Sequence, residues 1–437
     1  MQDIFKTIID NELSFLKEKK LLIAISGGVD SVVLTYLSHE VGLNVALAHC
    51  NFKLREEESD LDEAFVEELA KTLQLEIFTQ SFDTKAYAKK NKLSIQMAAR
   101  ELRYNWFQDL AEQLDYDYIL TAHHADDNLE TFLINFLRGT GLNGLTGIPK
   151  IQGKYVRPLL EFSRKEIEQY AKANAIQWRE DSSNSSRKYL RNKLRHDLVP
   201  ILKEINPELL ETFKKTLSNL KDISSITEDR LNAFKDTAVA YSNENETAYH
   251  ISEFKNVNNP QAYLFEIFKK YGFSEWNDVL HLLEAQSGKQ VVSETHRLIK
   301  HREFLLLAER ESDNNFSVLV NAESVKIDTP SGILFFDEAD AVKDHSETLV
   351  YVDKSKLQYP LEIRHWREGN WFYPFGMTGK KKLSKYFKDE KLSLLDKEKQ
   401  LVLCSGDDIV WVIGRRLDNR YGVTTNTSVI LKIELQK

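Results

Sequence analysis

Ser26-Gly27-Gly28-Val29-Asp30-Ser31 lies between a short apolar run, Leu21 to Ile25, and an apolar stripe at helical spacing, Val32, Val33, Leu34 and Leu37. Two glycines at a strand-to-helix junction let the backbone close in on a bound group. The helix start behind them offers unpaired N–H groups and partial positive charge. That is chemistry for an anion, above all a phosphate. A plain tight turn with Ser or Asp as helix cap would use the same glycines, but Gly-Gly-x-Asp-Ser at such a junction favours phosphate. No Gly-Lys-Ser or Gly-Lys-Thr follows, so this is not a Walker A loop, and the spacing is not that of the dinucleotide Gly-x-Gly-x-x-Gly turn.

A second cluster is Thr121-Ala122-His123-His124-Ala125-Asp126-Asp127-Asn128-Leu129-Glu130. Asp127 and Glu130, three apart, share a helix face. Converging acids there suit an ammonium substrate or Mg²⁺. The competing reading is a solvated helix start, where acids complement the dipole; a position just after an apolar strand favours a site. His123 and His124 have no Cys or third His at zinc-ligand spacing, so a nucleotide contact or a structural role is expected. Arg100 and Arg103 suit a phosphate or carboxylate, against salt bridges to Glu101 or Asp109. Net charge is −8, so any nucleic acid must meet local basic patches. Two basic runs offer them. Residues 185–203 hold Arg187, Lys188, Arg191, Lys193, Arg195 and Lys203 against Asp197 alone, and 380–391 hold Lys380, Lys381, Lys382, Lys385, Lys388 and Lys391 against Asp389 and Glu390. Tyr189, Tyr386 and Phe387 interleave with them, which suits RNA backbone contacts better than a solvated face. The acidic start Glu56-Glu57-Glu58-Ser59-Asp60 reads as solvated helix.

Positioning these groups takes strands that end at a common edge. Runs at 21–25, 44–49, 75–79 and 118–121 read as strands. Helical stretches separate them: 56–74, with its stripe Leu61, Phe65, Leu69 and Leu73, then two helices in 83–113, then 128–137. The alternation predicts an α/β fold with a parallel sheet covered on both faces, and such sheets bind ligands beyond the carboxyl ends of their strands. Residues 163–175 and 205–225 read helical, and 226–310 mostly helical with a hairpin near 290–308. Short β-branched runs from about 316 onward predict a small α+β module. The expected domains are 1–215, 216–315 (mainly helical) and 316–437, within the two to four that 437 residues suggest. Aromatics at 11% exclude global disorder, and no apolar run is long enough to span a bilayer. The first twenty residues read as an amphipathic helix rather than a signal peptide. Cys50 and Cys404 are the only cysteines. They make neither a disulfide framework nor a four-cysteine metal site, so a reducing cytoplasm is expected.

The Ser26–Ser31 turn resembles the PP-loop of ATP pyrophosphatases, which split ATP between the α and β phosphates and adenylate a substrate. Further pieces follow in order: Ala98-Ala99-Arg100-Glu101-Leu102-Arg103-Tyr104, the Thr121–Glu130 cluster, Phe136-Leu137-Arg138-Gly139-Thr140-Gly141-Leu142-Asn143-Gly144-Leu145, Asp181-Ser182-Ser183-Asn184 and Arg191 to Pro200. The C-terminal module adds Arg367-Glu368-Gly369-Asn370, Phe375-Gly376, Lys381-Lys382-Leu383 and Gly414-Arg415-Arg416. Together they resemble the tRNA(Ile)-lysidine synthase family, bacterial ligases that join lysine to the wobble cytidine of an isoleucine tRNA. Residues 216–345 carry no motif. The resemblance implies a PP-loop catalytic domain followed by tRNA-binding domains. Its implied substrates are ATP with Mg²⁺, whose ligands it leaves open, L-lysine and tRNA(Ile). It implies no iron–sulfur cluster, no zinc and no membrane, and it leaves a homodimer open. It puts nucleotide contacts at Ser26, Gly27, Gly28, Val29, Asp30, Ser31 and His123, and catalysis at Asp30, Arg103, Asp127 and Glu130. RNA contacts fall at Arg191, Asn192, Arg195, Lys381 and Lys382. The implied chemistry moves AMP onto the cytosine C2 oxygen, making it a leaving group; the lysine ε-amine then attacks C2 and AMP departs. Two positions depart from the family, which carries Gln where Asn128 stands and Gly-Asp where Gly369-Asn370 stands.

Three rival readings share parts of this pattern. A PP-loop tRNA thiolase typically needs a cysteine pair or an iron–sulfur cluster, and Cys50 and Cys404 fall in separate expected domains. A glutaminase-fed amide ligase lacks a glutaminase-like nucleophile segment here. A module that senses ATP without turnover has no need of the additional acids and arginines at the strand ends.

Overall fold

The four apolar runs become parallel strands: β1 (Leu21–Ala24), β2 (Val45–Asn51), β3 (Ile77–Ser81) and β4 (Tyr118–Leu120). The computed structural model describes residues 1–55, 57–180, 190–310, 316–343 and 346–436. Its contacts divide them into two units, Met1–Glu228 and Asp229–Lys437. The first is built on a sheet in the order β3-β2-β1-β4, continued past β4 by Tyr155–Val156 and the antiparallel Ile151–Gln152. Leu21 pairs with both Val45 and Tyr118, so β1 is central. Leu21, Leu22 and Ile23 are fully buried, which is why the run is continuous rather than alternating. Leu21 and Ile23 pack into one core with residues of α1 (Gln2–Asn11), α2 (Val29–Glu40) and α3 (Glu57–Leu73). On the other face Leu22, Ala46 and Ile119 meet Phe107 and Ala111, which follow α4 (Thr84–Asn91) on α5 (Ile95–Gln113).

After β4 the chain enters α6 (Ala125–Leu137) and the short α7 (Leu142–Leu145), then α8 (Arg164–Ala173). Beyond residue 189 it runs through α9 (Leu190–Lys193), a π-helical turn over Leu194–Leu198, α10 (Val199–Ile205) and α11 (Leu209–Ala238). The strand order reverses at β1 and β4, with β2 on one side of β1 and β4 on the other. Their carboxyl ends therefore flank the crevice that open α/β sheets use for ligands.

The second unit differs from expectation in its first part. Residues 239–309 do contain the hairpin, as His296–His301 paired with Phe304–Glu309. That hairpin belongs to a five-stranded antiparallel sheet with Gln290–Val292, Glu246–His250 and Val239–Ser242. Short helices at Ile251–Lys255, Pro260–Phe268 and Trp276–His281 cover one face of it through a core that also takes Phe234 and Ala238. The other face is closed from further along the chain: Leu395 packs with Ala248, Ile299 and Leu306, and Arg297 pairs with Glu398 at 2.7 Å. The remaining described residues form two four-stranded antiparallel sheets around Leu334, Val352, Ile363, Leu403, Trp411 and Ile433, a two-stranded pair of Trp371–Phe372 with Lys381–Lys382, and helices at Leu383–Asp389 and Leu394–Lys399, the α+β module foreseen. Among the described residues no helix is long and apolar enough to cross a membrane.

Candidate nucleotide and substrate site

The turn after β1 is shaped by Gly27, whose φ of +88° is the left-handed region that favours glycine. Gly28 caps α2 with no side chain accepting from the helix start, so the first N–H groups of α2 are open to an anion. The loop is fixed from inside. The Ser31 hydroxyl donates to Gly28 O (3.0 Å) and accepts from Ser26 N (3.1 Å). Arg179 N donates to Gly27 O at 3.0 Å. The cleft in front has a volume of about 950 Å³, near the upper end of ligand pockets, which run to about 1,000 Å³.

Asp30 points from the first turn of α2 into this cleft. Its Oδ2 accepts from Arg164 Nη1, and its Oδ1 is buried without a hydrogen-bond partner. Burial pushes this carboxyl above the usual carboxylate range, against the pull of His124 and Arg164. Opposite, at the end of β4, His124 caps α6 in a reciprocal pair: Asp127 N donates to His124 Nδ1 (3.4 Å), and His124 N donates to Asp127 Oδ2 (3.2 Å). His124 Nε2 then lies 3.4 Å from Asp127 Oδ2 and 3.8 Å from Asp30 Oδ1. Burial works to raise the Asp127 carboxyl, but His124 and Arg191 outweigh it and leave the group low and ionised. His123 hydrogen-bonds to the Thr121 hydroxyl at 3.0 Å. Burial takes its pKa down to about 4, so the ring is neutral at pH 7.

Asp127 and Glu130 do share a face, but they do not stand open. Glu130 is buried, and both its oxygens are taken: Oε2 by Arg191 Nε (2.8 Å), Oε1 by Arg195 Nε (2.6 Å). Asp127 Oδ1 accepts from Arg191 Nη2 (3.2 Å) and Arg195 Nη2 (2.9 Å). A four-residue spacing across α9 and the π turn puts both guanidinium groups on one side, and they neutralise a buried acid pair. Arg191 and Arg195 thus stand paired with acids rather than as free cations, while keeping part of their surface exposed.

Comparison with known proteins covers all three parts of the chain. A family model described as the PP-loop domain matches residues 1–202, the TilS substrate binding domain matches 242–310, and the TilS substrate C-terminal domain matches 361–433. The tRNA(Ile)-lysidine synthase of Bacteroides thetaiotaomicron is 39% identical over 433 residues, 97% of this chain and 98% of its own. That of Parabacteroides distasonis is 38% identical over 420 residues, 95% of each. The chain belongs to the tRNA(Ile)-lysidine synthase family.

Family membership makes ATP a substrate and sets the remaining residues of the cleft in context. Arg100 and Arg103 line it, and among the described residues neither makes the rival salt bridge to Glu101 or Asp109. Arg100 lies 4.7 Å over the Tyr104 ring and Arg103 5.1 Å over Phe52, while Glu101 accepts from the Tyr87 hydroxyl. Asn192 lines the same cleft. The two departures from the family pattern do structural jobs. Asn128 Oδ1 accepts from Ile148 N at 2.7 Å, pinning the turn after α7. Asn370 Oδ1 accepts from Arg367 N at 2.7 Å and Arg364 Nη1 at 3.3 Å, closing its own turn without a charge. Lys381 is paired with Asp389 at 2.7 Å and only 17% exposed, so it is the less available of the two lysines named; Lys382 is exposed. Asp181-Ser182-Ser183-Asn184, Arg187, Lys188, Tyr189 and Glu56 lie outside the described residues. Sequence reasoning missed Arg164, Asp126 and the Arg179–Asp62 pair. All three join positions far apart in the chain, and only a contact map could have shown them.

Proposed function

We infer that the chain ligates L-lysine to the wobble cytidine of the tRNA(Ile) with a CAU anticodon, releasing AMP and diphosphate and turning a methionine-reading tRNA into an isoleucine one. The observation that carries this is the facing of an open phosphate turn and a carboxylate–guanidinium cluster across one cleft, in a chain of this family. The free N–H groups behind Gly28 receive the triphosphate, and neutral His123 can hydrogen-bond the nucleotide without adding charge. Arg103, held by Phe52 and by no carboxylate among the described residues, is left to meet developing negative charge. Ionised Asp127 orients the lysine amine and accepts its proton, with Glu130 holding the two arginines beside it. Arg191, Asn192, Arg195 and Lys382 meet RNA phosphate or the nucleotide.

The donor set fits Mg²⁺. Asp30 Oδ1 is a buried carboxylate oxygen without a partner, and no group of three or more metal ligands stands among the described residues. A magnesium ion carried by nucleotide phosphates uses one or two protein carboxylates rather than a cage. Asp30 would hold it, and when bound it supplies charge neutralisation for the departing diphosphate. We place the reaction in the cytoplasm, on the two free cysteines and the tRNA substrate.

The test is incubation with ATP, labelled lysine and isoleucine tRNA carrying an unmodified wobble cytidine. Lysine-dependent incorporation with one AMP per lysine is expected. AMP release without incorporation, or sulfur transfer to the tRNA, would refute the reading.

A further inference from the structure

Arg164 lies 134 residues from Asp30 in the chain. Its backbone position is set by Asp126, the first acid of α6. Asp126 Oδ2 accepts from Arg164 N at 2.8 Å, its Oδ1 pairs with Lys203, and Ala125 N donates to Phe162 O at 2.8 Å. The starts of α6 and α8 are thereby stapled together at the mouth of the cleft. From that fixed point the Arg164 side chain reaches across to the PP-loop. One guanidinium nitrogen takes Asp30 Oδ2, and Nε takes Glu168 Oε1 at 2.8 Å.

A carboxylate on a helix start can rotate about its own bonds. Here one oxygen is tied down, and the other is left buried without a hydrogen-bond partner, 3.8 Å from His124 Nε2. We propose that Arg164 is a positioning residue for adenylation. By holding Asp30 Oδ2 it fixes the direction in which Oδ1 meets the metal–triphosphate, and Asp126 with Lys203 fixes Arg164. This rests on the reading of Asp30 given above. A fixed ligand direction matters because misplacing a reacting group by about 1 Å costs on the order of 100-fold in rate. Lysine cannot replace the arginine fully, since a single ammonium lacks the planar, pre-organised fork that aims one nitrogen at Asp30 Oδ2.

The experiment compares Arg164→Gln, Arg164→Lys and Glu168→Gln with wild type. It reads single-turnover AMP formation, ATP affinity with and without Mg²⁺, and thermal unfolding. R164Q should slow adenylation roughly 10- to 100-fold and raise several-fold the Mg²⁺ needed for half-maximal ATP binding. Metal-free ATP binding should stay within about twofold, and the melting temperature near that of wild type. R164K should fall between R164Q and wild type, and E168Q should behave as wild type. A wild-type rate and Mg²⁺ requirement in R164Q would overturn the proposal. So would a loss of metal-free ATP binding and melting temperature that matches the loss of rate, or an E168Q as slow as R164Q. If wild type modifies no tRNA, the functional reading fails, yet the Mg²⁺ dependence of ATP binding still reports whether Arg164 acts on Asp30.

Discussion

Glu130→Gln separates a structural acid from a reacting one. The Glu130 side chain is 1% exposed, and it holds Arg191 and Arg195, whose side chains are 39% and 31% exposed. Removing one member of a fully buried ion pair costs about 3–5 kcal/mol. Both arginines here keep access to water and keep Asp127 Oδ1, so part of that cost is recovered. The glutamine oxygen still accepts one guanidinium N–H, but its amide N–H₂ faces the second guanidinium, donor against donor, at roughly 1–3 kcal/mol. We therefore expect a loss of about 2 kcal/mol. At about 2–4 °C per kcal/mol for a unit of this size, the melting temperature should fall by about 4–8 °C. Hydrogen exchange should rise across α6 and α9, and ATP affinity should be nearly unchanged. Asp127→Asn should also cost some stability at pH 7, since its lowered carboxyl holds both arginines, but unlike E130Q it should bring a large loss of lysine-dependent turnover. An E130Q protein that melts within about 1 °C of wild type, with α6 equally protected, would refute the assignment of Glu130 to holding the arginines.

Asp30→Asn should abolish AMP formation while leaving the protein as stable as wild type or more so. Burial lifts the Asp30 carboxyl in the folded state, so the ionised group opposes folding above its unfolded pKa. The stability advantage of the variant should be present at pH 7 and vanish in acid, where both states bind the proton; near-normal AMP formation would remove Asp30 from the site. Gly147→Ala should destabilise by more than about 2 kcal/mol in urea unfolding. Its φ is +76°, and a Cβ there would sit 2.3 Å from Asn128 Oδ1, breaking the hydrogen bond to Ile148. Truncation after residue 228 should leave a fragment that folds and binds ATP but has lost most tRNA affinity. Truncation near 310 should aggregate, because it strips Leu395 and Glu398 from the 239–309 sheet; equal solubility of the two fragments would count against this division.

What could be seen in the sequence follows the distance over which each feature is decided. The PP-loop is decided within six residues. Gly-Gly-x-Asp-Ser between a buried strand and a helix start favours a phosphate turn over a plain one, and the structure puts Ser26–Ser31 at that junction. The Asp127–Glu130 pair was visible for the same reason, as helix spacing alone puts both on one face. Of the 239–309 sheet the hairpin near 290–308 was visible, but the strands Val239–Ser242 and Glu246–His250 were not, and the physical cause is plain. Val239–Ser242 follows Ala238 directly, at the end of a thirty-residue helix with no turn residue between. Glu246-Thr-Ala-Tyr-His carries too few apolar residues to read as a buried strand. Their burial is supplied by partners far along the chain, so periodicity within a window of a dozen residues could not register it.

The charges at the site show the same limit more sharply. In sequence, Arg191 and Arg195 stand in a run of cations and Asp127 and Glu130 in a run of acids, and each run alone suggests an external partner of opposite sign. In the structure each run is largely the other's partner. Glu130 is taken by Arg191 and Arg195, Asp126 by Lys203, and Asp30 by Arg164. A substrate ammonium or phosphate therefore enters as a competitor for contacts already made within the protein. Among the described residues, the N–H groups behind Gly28 and the guanidinium of Arg103 are left without a carboxylate partner. On the proposed reading these groups serve the triphosphate, and ATP would bind to the site as it stands. On the same reading lysine would have to share Asp127 with two guanidinium groups already bound to its Oδ1. That difference in cost gives a physical reason for adenylation to precede lysine attack.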